Sequence, residues 1–354
     1  MELAEIEAAL KPIDDLWDSH NGPDRIAFSS WHGVGWRQDG DELVISPFAT
    51  NQEALTVVEG QLRPKVDGNP KIKIKGLILP PFHEMTRGKQ KEIKNPFQPG
   101  NLVGVSGCIC TGTIGAFLTS QKNGTTNTWL LSNHHILAEC SIKKIEVLGA
   151  GGVTLGIEIL PVPISPRGNT VDAAVVKMID TSKIDPVYEG LGRVTKPTTS
   201  AIPNLKKGAS ARKLGVATGP TFGRLALHCH RVNVFDCTDV LLREFRNQLA
   251  FISEHPDDPD HPFADEGDSG SLVISDTRPI GILFAKSIPG GSDPPDSQMF
   301  KPPLFLVNRW DLLMKELEQV VQAPLELMLR NQENLSVAGH GQATLQAEMP
   351  GEAR

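Results

Sequence analysis

Hydrophobic and polar positions divide this chain into stretches of different character. Over residues 2–19, Leu3, Ile6, Leu10, Ile13, Leu16 and Trp17 recur at helical spacing with acidic residues between them. That pattern predicts an amphipathic helix, kinked or restarted at Pro12. Residues 33–37 and 42–46 are apolar runs flanking Gln38-Asp39-Gly40-Asp41, the composition of a hairpin turn. A short helical stretch over 51–59 precedes a third strand over 72–78. The α-β-β-α-β order predicts a small α+β domain over residues 1–80. Residues 81–101 combine prolines with the basic cluster Arg87, Lys89, Lys91 and Lys94, and read as a linker that also offers a cleavage site.

From residue 102 the pattern becomes β. Residues 104–118 supply opening strands, and Asn123-Gly124 is a hairpin turn leading into Thr128-Trp129-Leu130-Leu131. Apolar runs follow over 144–147, 155–160, 170–176, 225–232, 272–274 and 279–285. Short strands punctuated by Gly and Pro predict a barrel rather than βαβ units. Residues 310–321 return to helical spacing, and the chain after about 330 is polar and expected to be disordered.

Composition narrows the function classes. The 354 residues suit two domains, or one with extensions, and 33 Gly with 27 Pro suit a turn-rich β protein. A net charge of −7 argues against a nucleic-acid binder, which needs a basic face. The acidic N-terminus has no basic leader and no stretch approaches the ~20 apolar residues of a membrane span. Five cysteines, Cys108, Cys110, Cys140, Cys229 and Cys237, are an odd number. They predict free thiols in a reducing cytoplasm, with a Cys140 disulfide bracing the loop after His135 as the alternative.

The candidate chemistry centres on Gly267-Asp268-Ser269-Gly270, followed by the apolar run Leu272-Val273-Ile274. A serine hydroxyl is a weak nucleophile and must sit on an exposed turn beside a base. Gly267 lets its own N–H and that of Ser269 point at one spot, where a tetrahedral oxyanion would be held. By itself the tetrapeptide is equally an ordinary tight turn. Two upstream segments change the weighing: 130–137, an apolar strand running into His134-His135, and 170–176, where Asp172 opens a β-branched run.

These three segments resemble the motifs of chymotrypsin-fold serine proteases, in the order His, Asp, Ser that distinguishes that family. Ser132-Asn133-His134-His135 resembles the family's histidine setting, Asp172-Ala173-Ala174-Val175 its aspartate motif, and residues 267–271 its nucleophile loop. Lys213-Leu214-Gly215-Val216-Ala217-Thr218-Gly219 matches an element of bacterial cytosolic trypsin-like proteins. The resemblance covers residues 100–320. It implies a mostly β fold of two six-stranded antiparallel β-barrels over 102–322, with residues 323–354 as an extension. It also implies a triad of His135, Asp172 and Ser269, and an oxyanion hole at Gly267 and Ser269. No metal or organic cofactor is required.

By the same resemblance, Phe263 and Ala264 stand at the base of the specificity pocket. Phe284, Ala285 and Lys286 stand in the strand that pairs with substrate. Phe263 offers no partner to a basic side chain, so cleavage after uncharged residues is expected unless Asp265 or Glu266 swings inward. No Ile-Val-Gly-Gly-like start precedes the first barrel, so Asp268 needs a partner other than a freed amine. The function implied is a serine endopeptidase acting on protein or peptide substrates through an acyl-enzyme. A cytosolic effector switched by a protein partner on residues 1–80 fits the same sequence. The rival reading is a catalytically inactive protease-like binding module. His228 and His230 share one strand face with Cys229 on the other; no ligand spacing accompanies them, so they read as strand residues.

Overall fold

The computed structural model describes residues 2–20, 31–66, 69–85, 96–108, 110–139, 146–149, 152–197, 199–236, 241–256, 258, 261–287 and 303–330. The N-terminal helix α1 (Leu3–His20) runs through Pro12. It buries Ile6, Leu10, Ile13 and Trp17 against the hairpin of β1 (Trp31–Asp39) and β2 (Glu42–Ala49). Helix α2 (Gln52–Val66), longer than the expected stretch, adds Val58 and Leu62 to the same core. Strands β3 (Ile72–Ile74) and β4 (Leu77–Ile78) run parallel to β2. Each such apolar side chain contributes ~1.5–3 kcal/mol on full burial.

This segment joins the larger sheet. β1 pairs antiparallel with β14 (Gly219–Phe235), with Gly33 opposite Val232. Ion pairs reinforce the join, since Arg231 donates to Asp14 at 2.6 Å and to Asp18 at 2.7 Å on α1. Strand β5 (Phe82–Glu84), inside the stretch read as a linker, also enters this sheet and pairs with two strands.

The remaining strands form two groups. The first group contains β6 (Leu102–Val105), β7 (Thr111–Thr113), β8 (Ala116–Lys122), β9 (Thr125–Ser132), β10 (Val147–Gly149), β11 (Thr154–Pro161) and β12 (Ala174–Met178). With β19 (Leu325–Leu327) on the edge strand β8, these make an eight-stranded sheet. Residues 325–327, expected in the C-terminal extension, are therefore a paired strand of the fold; Leu325 and Leu327 are buried there. The second group is β13 (Ser210–Gly215), β14, β15 (Leu242–Ser253), β16 (Leu272–Ser275), β17 (Arg278–Ser287) and β18 (Phe305–Arg309). Pairing runs β13–β16–β17–β18–β15–β14 and returns to β13, a ring of six. The chain thus has the mostly β, two-sheet architecture that the resemblance implies, with eight strands rather than six in the first sheet.

One apolar core spans both sheets and helix α4 (Trp310–Val321). Leu131 and Val175 of the first sheet, Leu272 and Leu283 of the second, and Leu313 and Leu317 of α4 belong to it. The candidate site lies on the seam it creates.

Candidate active site

Strand pairing brings the histidine and aspartate segments together. β9 and β12 are antiparallel with Ser132 opposite Ala174. The chain leaving β9 turns at Asn133 into the single turn α3 (His134–Leu137), so His135 lies beside Asp172, two residues before β12. His135 Nδ1 is hydrogen-bonded to Asp172 Oδ2, and the His135 amide donates to Asp172 Oδ1 at 3.2 Å. Asp172 is itself fixed. Its amide donates to Asn308 Oδ1 at 3.0 Å, and its carbonyl accepts from Asn308 at 3.1 Å and from Asn133 at 2.7 Å. Both members of the pair are buried. Burial works against the imidazolium, but the carboxylates of Asp172 and Glu84 outweigh it and pull His135 up to about 9. For Asp172 burial acts upward, and His135 beside it carries the net shift downward. His134 points elsewhere, with Nδ1 at 2.9 Å from the Val162 carbonyl.

The serine turn is held by a buried charge pair. Asp268, flanking Ser269, accepts from Lys213 Nζ at 2.7 Å, from Thr218 Oγ1 at 2.7 Å and from the Ala217 amide at 2.8 Å. The side chains of Lys213 and Asp268 are both fully buried. The Lys-X-Gly-X-X-Thr-Gly element of the sequence is thus the cradle of the residue before Ser269. Thr113 ties the turn to the first sheet, its amide donating to Ser269 O at 2.7 Å and its hydroxyl to Gly267 O at 2.8 Å. Gly267 and Gly270 have φ of 99° and 91°, a left-handed backbone that favours glycine. A Cβ on Gly270 would meet Ser132 Oγ and Thr113 O at 2.3 Å. Among the described residues, the amides of Gly267 and Ser269 donate to no acceptor.

The Ser269 hydroxyl donates to the Phe284 carbonyl at 3.2 Å. His135 Nε2 is buried with no hydrogen-bond partner. The structure therefore joins His135 to Asp172 and brings Ser269 to the substrate-strand candidate, without a serine–histidine hydrogen bond.

Around the expected pocket, Phe263 is fully buried, with ring centroids 5.8 Å from Phe251 and 5.7 Å from Phe305. Phe284 packs likewise on Phe245 at 5.0 Å, and Ala264 and Ala285 are buried. Lys286 donates to Asp265 Oδ1 at 2.7 Å. Burial acts upward on the Asp265 carboxyl, but the Lys286 hydrogen bond, the Glu266 amide and the charges of Lys286 and Lys213 together lower its pKa. Glu266 is exposed.

Several contributors were not visible in the sequence. Glu84 on β5 is buried, with its donor atom within 4.8 Å of those of His135 and Asp172. Burial, opposed by His135 and helped by Asp172 and Glu139, pushes Glu84 up to about 8. Arg243 reaches Glu84 at 3.3 Å and also binds Glu139. Three such donors are a metal-like grouping, yet protein groups already serve it: Asp172 takes the imidazole Nδ1 and Arg243 faces Glu84. Glu84 has no motif, Asn308 lies 136 residues from Asp172, and neither carries a local signal.

The thiols and lone histidines resolve separately. Cys108 is disulfide-bonded, which corrects the expectation of free thiols throughout; a disulfide belongs to an oxidising setting. Cys110 and Cys229 are not in disulfides, and Cys140 and Cys237 lie outside the described residues. His228 stacks on Trp36 at 4.3 Å and bonds the Leu205 carbonyl, while His230 pairs with Asp14 at 2.8 Å. Among the described residues, no helix is long and apolar enough to cross a membrane.

No protein-family model and no curated protein matches the chain. Several solved structures are similar. A glutamic acid specific serine protease, described as using a histidine triad in substrate binding, matches with a TM-score of 0.41 and 14% identity over 66% of this chain and 100% of that one. Chymotrypsin from Cellulomonas bogoriensis gives 0.39 and 16% over 66% and 99%. Nocardiopsis protease gives 0.38 and 16% over 66% and 100%.

Proposed function

We propose that this chain is a serine endopeptidase in which His135, Asp172 and Ser269 act as a triad. The observation that carries the reading is the buried His135–Asp172 pair beside a glycine-flanked serine turn. In the reaction, His135 Nε2 takes the Ser269 proton as Oγ attacks the scissile carbonyl, and later gives it to the leaving amine. Asp172 holds the tautomer with Nδ1 protonated and stabilises the imidazolium. The amides of Gly267 and Ser269, free of other acceptors among the described residues, are the donors for the oxyanion. Water then hydrolyses the acyl-enzyme, with His135 as base again.

The Lys213–Asp268 pair favours a turn assembled without a freed N-terminal amine, because the carboxylate already has a cation. The Lys286–Asp265 pair favours uncharged residues before the cut, because the Asp265 carboxylate is already paired. Under this reading, residues 1–80 are the site for a regulatory protein partner, and the chain is an effector switched by it. Labelling of purified protein with a fluorophosphonate probe is the direct test. Covalent mass on Ser269, absent from Ser269→Ala, supports the triad. Absence of labelling with and without cell extract sinks it and leaves a protease-like binding module.

A further inference from the structure

The first residues of the stretch that the sequence offers as a linker, Phe82–Met85, lie in the seam beside Ser269. Phe82, His83 and Glu84 run antiparallel to β17, opposite Ser287, Lys286 and Ala285 respectively. The next residue, Met85, donates its amide to the Phe284 carbonyl at 3.4 Å, the same oxygen that accepts the Ser269 hydroxyl. An amide of this segment and the candidate nucleophile therefore converge on one atom. Met85 is fully buried, and the Glu84 carboxyl sits against the His135–Asp172 pair and Arg243. Extended backbone added to a strand edge, with alternate side chains entering pockets, is how a sheet binds a peptide.

Resting on the peptidase reading, we propose that Phe82–Met85 is an intramolecular occupant of the acyl-side half of the substrate cleft. It seats Met85 in the position of the residue before the cut and keeps the enzyme latent until it is displaced. Three separate features agree. The strand edge that would receive a substrate backbone is filled by the chain's own β5. The Ser269 hydroxyl is committed to Phe284 and not to His135, whose Nε2 has no partner. Glu84 of the same segment lies against the His135–Asp172 pair, with its carboxyl within 4.8 Å of both. The occupant further describes what a substrate should offer: an unbranched apolar side chain before the cut and, one residue earlier, a carboxylate for Arg243.

Two full-length variants test this by different means. Met85→Asp places a charge where an apolar side chain is buried, and His83→Pro removes a backbone donor from β5. Both should release the segment. The readouts are the rate of fluorophosphonate labelling at Ser269 and hydrogen exchange of the amides of Ala285, Lys286 and Ser287. Release should raise labelling by about tenfold or more, in proportion to the open fraction, and should speed exchange in β17. Labelling of the wild-type chain as fast as of both variants overturns the proposal. Faster exchange in the variants with no labelling of any protein keeps the occupant in the cleft but overturns the peptidase reading beneath it.

Discussion

Lys213→Met is the most informative single change outside the proposed triad. The methionine keeps the length of the side chain and removes its charge, leaving Asp268 fully buried beside Ser269. Loss of one partner from a buried ion pair costs ~3–5 kcal/mol, because the remaining charge is neither solvated nor paired. Thr218 and the Ala217 amide still bond the carboxylate, which places the expected loss at the lower end, ~3 kcal/mol. That is a factor of more than ~100 in the equilibrium that holds the turn. Urea unfolding of the wild type and variant measures the stability change, and fluorophosphonate labelling reads the turn itself. The second substitution, Asp268→Asn on the Lys213→Met background, should recover part of the loss, since the stranded charge is then gone. An unfolding midpoint and labelling rate unchanged in Lys213→Met would refute the claim that this pair assembles the Ser269 turn.

Four further outcomes follow from the same geometry. Ser269→Ala and His135→Ala should each lower kcat by on the order of 10⁴-fold, while His134→Ala, whose ring meets the Val162 carbonyl, should keep most activity in peptide hydrolysis. Asn308→Ala removes two of the three anchors of the Asp172 backbone, leaving Asn133, and should lower kcat by ~10-fold or more with little change in KM. A peptide-library digest should be poor in cuts after arginine and lysine; dominance of such cuts would mean that Asp265 leaves Lys286 to serve the pocket. The labelling rate of the wild-type chain should climb with pH more steeply than that of Met85→Asp. Glu84 docked titrates near 8 against an ordinary 4.5, so docking takes up a proton, is strongest below 4.5 and is lost as pH rises through about 8. The charged groups that face Glu84 are His135, Asp172, Glu139 and Arg243. Parallel pH profiles for the two proteins would contradict this.

What the sequence determined by itself was whatever is encoded over a few consecutive residues. The period of Ile6, Leu10, Ile13 and Trp17 marks α1 because a helix buries one face. The turn at Gly267–Gly270 is legible because only glycine is at ease with φ near 90°. The β9 and β12 segments advertise His135 and Asp172 because each ends or begins a buried apolar run. Tertiary structure decided everything that depends on distant groups meeting. Lys213 and Asp268 are 55 residues apart, and Asn308 and Asp172 are 136 apart; no local pattern ties either pair. Residues 82–84 have too short an apolar pattern to declare a strand, and they become one because β14 and β17 present unfilled edges to them. Phe263 was counted into the pocket by its place before Ser269, but the ring of strands turns it onto Phe251 and Phe305. Spacing along the chain states which residue types are available to the chemistry; the closing of one sheet on another decides which of them share a few ångströms of low dielectric, where charge, burial and hydrogen bonding acquire their force.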